Sequence, residues 1–178
     1  RDLVRSRGLG DVYKRQPQND YQILRLTEHF YNAYPEPPYR EVLKKNQRAY
    51  NCLLFQTHYD FFICIPYRTE IHHPYAFHFS KTKRSKAHKS GLDYSKIIII
   101  TKTNYLDSTD AIVDKDEYNE TMINLERIKK DALDYVEEYM EFTNGKRKLH
   151  KKMFDRKYGF STLQYFHKEL VIEVLKQT

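Results

Sequence analysis

The sequence predicts an α+β fold: a compact antiparallel sheet, partly barrel-like, with helices packed outside it and a long helix in the C-terminal half. Two observations predict it. Between residues 50 and 101, short apolar, aromatic-rich runs (50–55, 61–67, 75–79 and 96–101) alternate with polar connections, the signature of strands that follow one another in the chain. From Asp114 onward the pattern changes to apolar residues at helical spacing, so helices follow the strands rather than alternating with them.

Residues 21–34 place Ile23, Leu26, Phe30 and Tyr34 at the spacing of one helix face, and Pro35, Pro37 and Pro38 then stop the element, which predicts an N-terminal amphipathic helix. The runs 50–55 and 61–67 predict a hairpin buried on both faces, turning near His58. That hairpin brings Cys52 and Cys64 nearly opposite one another, and both are expected to be buried free thiols, because disulfides are uncommon in the cytoplasm. The run 96–101 is built on four consecutive isoleucines, whose β-branching suits a packed sheet. The connection 80–95 is expected to be too polar for burial. Residues 111–113 predict a short strand. Asp114 or Asp116 then caps a helix to about Thr143, with Met122, Leu125, Ile128 or Lys129, Leu133, Val136 and Met140 as its apolar stripe and Gly145 just past its end. A second C-terminal helix is expected over 162–175, after the Tyr158-Gly159 break. There is no internal repeat.

A chain of 178 residues suits one domain with a real core. Its first sixteen residues, RDLVRSRGLGDVYKRQ, have neither helical period nor strand alternation and are read as a non-native leader of the adapter or library kind, leaving 17–178 as the single domain. The leader carries five Lys/Arg and two Asp, so setting aside its +3 reduces the formal charge of +7 to +4. Clustering then matters more than the sum. No apolar run approaches the roughly 20 residues of a membrane span, so no membrane association and a cytoplasmic location are expected. With 16 Tyr, 10 Phe and no Trp, tyrosine does much of the packing and gives it a polar edge.

Seven Lys/Arg residues (Lys81, Lys83, Arg84, Lys86, Lys89, Lys96 and Lys102) lie between Ser80 and Lys102 against one acid, Asp93, with Phe77, Phe79 and Tyr94 close by. Cations interleaved with aromatics favour a polyanion with exposed bases. Lys81, Lys83, Arg84, Lys86, Lys89, Ser95 and Lys96 are therefore candidate RNA contacts, while Gly91 and Leu92 are read as structural. A solvated charged loop is the alternative for 80–89, and a strand-start cap the alternative for Asp93 to Lys96.

RNA is cut without a metal when a protein activates the ribose 2′-hydroxyl, neutralises the charge growing on phosphorus and protonates the leaving 5′ oxygen. Arg68, Thr69, His72 and His73 supply cation, hydroxyl and imidazole within six residues at the end of a strand. A guanidinium clamps phosphate with parallel donors, a hydroxyl positions it, and imidazoles titrate near neutrality. A strand end followed by an ordinary loop before Pro74 is the alternative. No paired Cys-x-x-Cys or His-x-x-x-His appears, so neither a metal nor another cofactor is expected.

Four ordered blocks, NQRAYNCLLF, FFICIPYRTEIHH, SGLDYSKIIII and STLQYFHKEL, spread over about residues 21–170, resemble the ToxN/AbiQ toxins of bacterial type III toxin-antitoxin systems, the TenpN and CptN branch most closely. The resemblance implies a metal-independent endoribonuclease that leaves a 2′,3′-cyclic phosphate. It also implies restraint by a repeated, pseudoknot-like RNA antitoxin within a protein-RNA oligomer. It places Pro66 at the family's strand-ending proline, Thr69 at its hydroxyl residue and Arg48 where an earlier lysine is found. The chain departs at Ile71, where ToxN-like members carry lysine. Arg48 thereby joins Arg68, Thr69, His72 and His73 as a catalytic candidate. A non-catalytic RNA-binding module and a protein-interaction domain built on the long helix stand as alternatives.

Overall fold

The computed structural model describes residues 4–5, 21–44, 50–107, 109 and 111–172. A two-residue strand, β1 (Val4–Arg5), is followed by β2 (Tyr21–Arg25) and helix α1 (Glu28–Ala33). Strands β3 (Asn51–Gln56), β4 (Phe62–Arg68) and β5 (Ala76–His78) come next, then α2 (Lys83–His88), β6 (Gly91–Asp93), a 3-10 turn at Tyr94–Lys96 and β7 (Ile98–Ile100). The chain continues through β8 (Ile112–Val113), α3 (Lys115–Ile123), α4 (Leu125–Thr143), α5 (Lys151–Tyr158) and a 3-10 turn at Thr162–Tyr165. The α+β class and the long C-terminal helix are thus as the sequence predicts. The sheet runs β2-β3-β4-β6-β5 with β7 also on β4, and it stays open rather than closing toward a barrel.

β3 and β4 form the predicted antiparallel hairpin, buried on both faces. Thr57 closes its turn, donating its hydroxyl to the Phe61 carbonyl at 2.8 Å and accepting from the Tyr59 N–H at 3.1 Å. Cys64 pairs with Leu54 and Cys52 with Pro66, so the two thiols are diagonal neighbours; both are free and buried. Burial is the first reason that the Cys64 thiol is pushed well up from its ordinary value.

Pro66 decides the shape of the far end of β4. It has no N–H for a ladder, and on that side β4 changes partner around it: Phe62–Cys64 pair with β7, and Tyr67 and Arg68 pair with β6. The 3-10 turn at Tyr94–Lys96 fills the interval between β6 and β7. Asp93, Ser95 and Lys96 are thereby gathered beside the C-terminal end of β4.

Three segments depart from expectation. Residues 21–25 are a strand rather than the first half of a helix, because Gln22, Ile23 and Leu24 are buried where β2 pairs the outer edge of β3; Thr27 then caps the short α1. The predicted single helix after Asp114 is broken at Asn124, whose side chain donates to the Glu120 carbonyl. On α4 the buried row is Leu125, Ile128, Ala132, Tyr135, Val136 and Tyr139, with Leu133 and Met140 on its flank. The last α-helix among the described residues lies at Lys151–Tyr158, and residues 162–172 do not form the predicted helix. Ser161 and Thr162 are fully buried, and the Thr162 hydroxyl donates to the Ser95 and Ile97 carbonyls, which holds that segment in a short 3-10 turn. Residues 173–175 of the predicted helix lie outside the described residues.

Among the described residues β1 pairs only with β8, Val4 opposite Val113 and Arg5 opposite Ile112. The remainder of 1–16 lies outside the described residues. Deleting residues 1–16 removes that pairing but leaves the larger sheet whole, so the melting temperature should fall by no more than about 3 °C, roughly 1 kcal/mol at this size. A drop of 10 °C would show that β1 is integral to the core. No helix among the described residues is long and apolar enough to cross a membrane.

Candidate functional site

The site is organised by Asp93, which the sequence leaves open between a strand-start cap and a ribose or phosphate contact and which is not among the candidate site residues. Its side chain is completely buried. Gly91 stands opposite Arg68 in the β4–β6 register, and Asp93, two residues on, falls on the same face diagonal to Arg68. Arg68 Nη1 donates to Asp93 Oδ2 at 2.7 Å, and His73 Nε2 lies 3.2 Å from Oδ1. The Ser95 N–H and hydroxyl donate to Oδ1 at 3.0 and 2.6 Å. Burial alone pushes the Asp93 carboxyl up, but the hydrogen bonds from His73, Ser95 and Arg68 together outweigh it and hold the group below the usual carboxylate range.

The hydrogen bonds also fix the His73 tautomer. Nδ1 accepts from the Tyr75 N–H at 3.1 Å and so carries no proton, which leaves Nε2–H facing Asp93. Both ring nitrogens are engaged, and the ring stacks near that of Tyr75. His72 turns the other way. Its Nε2 lies 3.3 Å from Glu70 Oε2, while His88 Nδ1 lies 2.9 Å from Glu70 Oε1; His72 Nδ1 has no partner among the described residues. Glu70, at φ 56, is exposed, and its carboxyl is lowered chiefly by the His88 hydrogen bond.

Lys96 completes the cluster. Its Nζ donates to the Phe160 carbonyl at 2.9 Å, and its charge feels Asp93, Arg68 and Glu41. Desolvation is the largest influence and lowers its pKa from the ordinary lysine value. Thr69 is half-buried, and its hydroxyl has no partner among the described residues. Ile71 is fully buried, which accounts for an apolar side chain at that position. Arg48 lies outside the described residues. Ser95 is a correction: its hydroxyl is tied to Asp93 and only 7% of the residue is exposed, so it braces the site from within rather than facing a ligand.

The basic connection is also partly rebuilt. Residues 90–95 are buried: strand pairing engages Gly91–Asp93 and Asp93 takes the Ser95 amide and hydroxyl, while the Ser90 and Tyr94 hydroxyls are buried with no partner among the described residues. Thr82 and Ser85 form a reciprocal capping box that starts α2. Glu120 accepts from the Ser80 N–H and hydroxyl and from the Lys81 N–H, and Asp116 accepts from the Lys83 N–H, which pins the connection to α3. Arg84 is engaged by Asp114 and Glu117. Lys81, Lys83, Lys86 and Lys89 are exposed, with no ion pair among the described residues.

Beside the cluster, Tyr75, Tyr94 and Tyr135 line a cleft of about 600 Å³. Five carboxylates line it against three cations, Arg127, Arg147 and Lys157, so it repels phosphate and leaves the Arg68–Lys96 side as the favourable approach for a polyanion. Among the described residues no group of three or more His, Cys, Asp or Glu converges as metal ligands. Comparison with protein-family models, curated proteins and solved structures finds no match to this chain.

Proposed function

We propose that this chain is a metal-independent endoribonuclease of the type III toxin kind, restrained by a repeated RNA antitoxin. The observation that supports it is the gathering of Arg68, His73 and Lys96 about the buried Asp93 at the end of β4, with Thr69 and His72 in the segment that follows Arg68. In this reading Arg68, preset by Asp93, clamps the phosphate, and Thr69 orients it or the 2′-hydroxyl. His72, with Nδ1 open, takes the 2′-hydroxyl proton as that oxygen attacks phosphorus. The P–O5′ bond breaks, Lys96 protonates the leaving oxygen, and a 2′,3′-cyclic phosphate and a 5′-hydroxyl result. An ammonium whose pKa burial has lowered is the better acid. His73 is a positioning residue, since both its nitrogens are engaged.

The test is cleavage of single-stranded RNA in EDTA, with product ends analysed, alongside growth of a bacterial host expressing wild type or Thr69→Ala at matched soluble levels. Thr69→Ala disturbs no hydrogen bond among the described residues. It should lower cutting by about 10²-fold, the scale of one lost transition-state contact, and relieve toxicity. Undiminished toxicity of Thr69→Ala, or cutting abolished by EDTA and restored by a divalent ion, overturns the mechanism.

A further inference from the structure

The basic character of the chain does not stop at residue 102. Between Lys146 and Lys157 lie seven Lys/Arg against one acid, Asp155. Arg147 and Lys157 are engaged by Glu138, and Arg147 also by Glu141. Lys146, Lys148, Lys151, Lys152 and Arg156 are exposed and have no ion pair among the described residues. The exposed residues Lys152 and Arg156 are one helical turn apart on α5. Gly159 keeps the right-handed helical conformation at φ -59 and ψ -32, so Phe160 continues the same row four residues later.

Phe160 is 78% exposed, yet its backbone is held. The Gly159 N–H donates to the Asp155 carbonyl at 2.9 Å and the Ser161 N–H to the Tyr158 carbonyl at 3.0 Å, while Tyr158, Ser161 and Thr162 are buried. A Cβ at Gly159 would come within 2.4 Å of the Asp155 oxygen, so this turn requires glycine. The Phe160 carbonyl in turn receives Lys96 Nζ, which joins the turn to the Arg68–Lys96 cluster. An exposed aromatic on a fixed backbone, lined up with unpaired cations, offers a π-face for a base and charges for the flanking phosphates.

We infer that Phe160 is a stacking platform for an unpaired nucleobase of single-stranded nucleic acid, with Lys152 and Arg156 holding the adjoining phosphates. This rests on the proposed RNA substrate and names how it is seated; duplex RNA, whose bases are stacked internally, is excluded from the platform. The chain has no Trp, so Phe160→Trp places a single tryptophan at the platform, whose emission is excited selectively over that of the tyrosines. The probes are a 2′-O-methyl RNA decamer, which lacks the attacking hydroxyl, and its abasic analogue with the same phosphates.

The tryptophan should be quenched saturably by the decamer. Phe160→Ala should weaken decamer binding about tenfold and leave abasic binding unchanged. Lys152→Ala with Arg156→Ala should weaken both and reduce the salt slope by about two. An unquenched tryptophan, decamer binding unaffected by Phe160→Ala, or equal losses on both probes overturns the platform. Quenching by the decamer in a protein that cuts no RNA would sustain the platform and sink the nuclease. Cutting in EDTA with no effect of Phe160→Ala on decamer binding would do the reverse.

Discussion

Replacing Asp93 with alanine should lower the stability of the fold by about 3 to 5 kcal/mol, the range seen when one partner of a buried ion pair is removed. The carboxylate is fully buried and receives four donors, so its loss leaves the Arg68 guanidinium, the His73 Nε2–H and the Ser95 hydroxyl and amide without their acceptor. At this chain length the melting temperature should fall by on the order of 10 °C. Asp93→Asn keeps the shape and should lose less, which separates charge from packing. The pH dependence has a definite sign. The folded Asp93 carboxyl lies below its ordinary range, so its stabilisation is present above the unfolded pKa of about 3.9 and is lost as pH falls through the folded value. Glu117 works in the opposite direction, since burial raises its carboxyl and its ionisation opposes the fold as pH rises. The gap between wild type and Asp93→Asn should therefore be wide at pH 7 and close in strong acid. Denaturation curves at several pH values read it directly, and a gap independent of pH would show that Asp93 is not the anion holding this corner together.

Gly91→Ala should be nearly as damaging by a different route, at about 3 kcal/mol. A Cβ at Gly91 would lie 2.1 Å from the Phe77 carbonyl oxygen and 3.1 Å from the His78 Cα, both backbone atoms of the paired strand β5. No side-chain rotation relieves such a contact, so β5 must move away from β6. His73, just ahead of β5, would then leave Asp93, and its imidazole NMR signals should shift along with the fall in melting temperature. Gly145→Ala is the control. At φ 73 with open space around it, that change should cost only about 1 kcal/mol. Equal effects of the two substitutions would remove the close approach of β5 and β6 as the explanation.

Much of the sheet was legible because its strands announce themselves locally. The β3–β4 hairpin, the isoleucine strand and the long helix follow from apolar runs whose length and spacing admit one solution once the turn residues are placed. The cluster Arg68, Thr69, His72 and His73 was legible as chemistry for a related reason: its members adjoin in sequence. Residues 21–34 were misread because Ile23, Leu26 and Phe30 satisfy a helical period, while the open edge of β3, a non-local partner, made the first five residues a strand. Residues 162–172 failed similarly, since the burial of Thr162 against the Ser95 and Ile97 carbonyls is a contact across 65 or more residues.

The sequence by itself determined the class of fold, the strand pairing of its central hairpin and the presence of cations, hydroxyls and imidazoles at one strand end. Only the tertiary structure decided which of these groups meet. Pro66 forces β4 to exchange β7 for β6, the 3-10 turn fills the gap, and Asp93 is carried inside to gather Arg68, His73 and Ser95. A buried carboxylate is tolerated only where several donors converge on it, and that convergence belongs to strand register and not to residue spacing. The tertiary structure likewise sets His72 on Glu70 and His73 on Asp93, and it brings Lys96 to the Phe160 turn, 64 residues away in the chain.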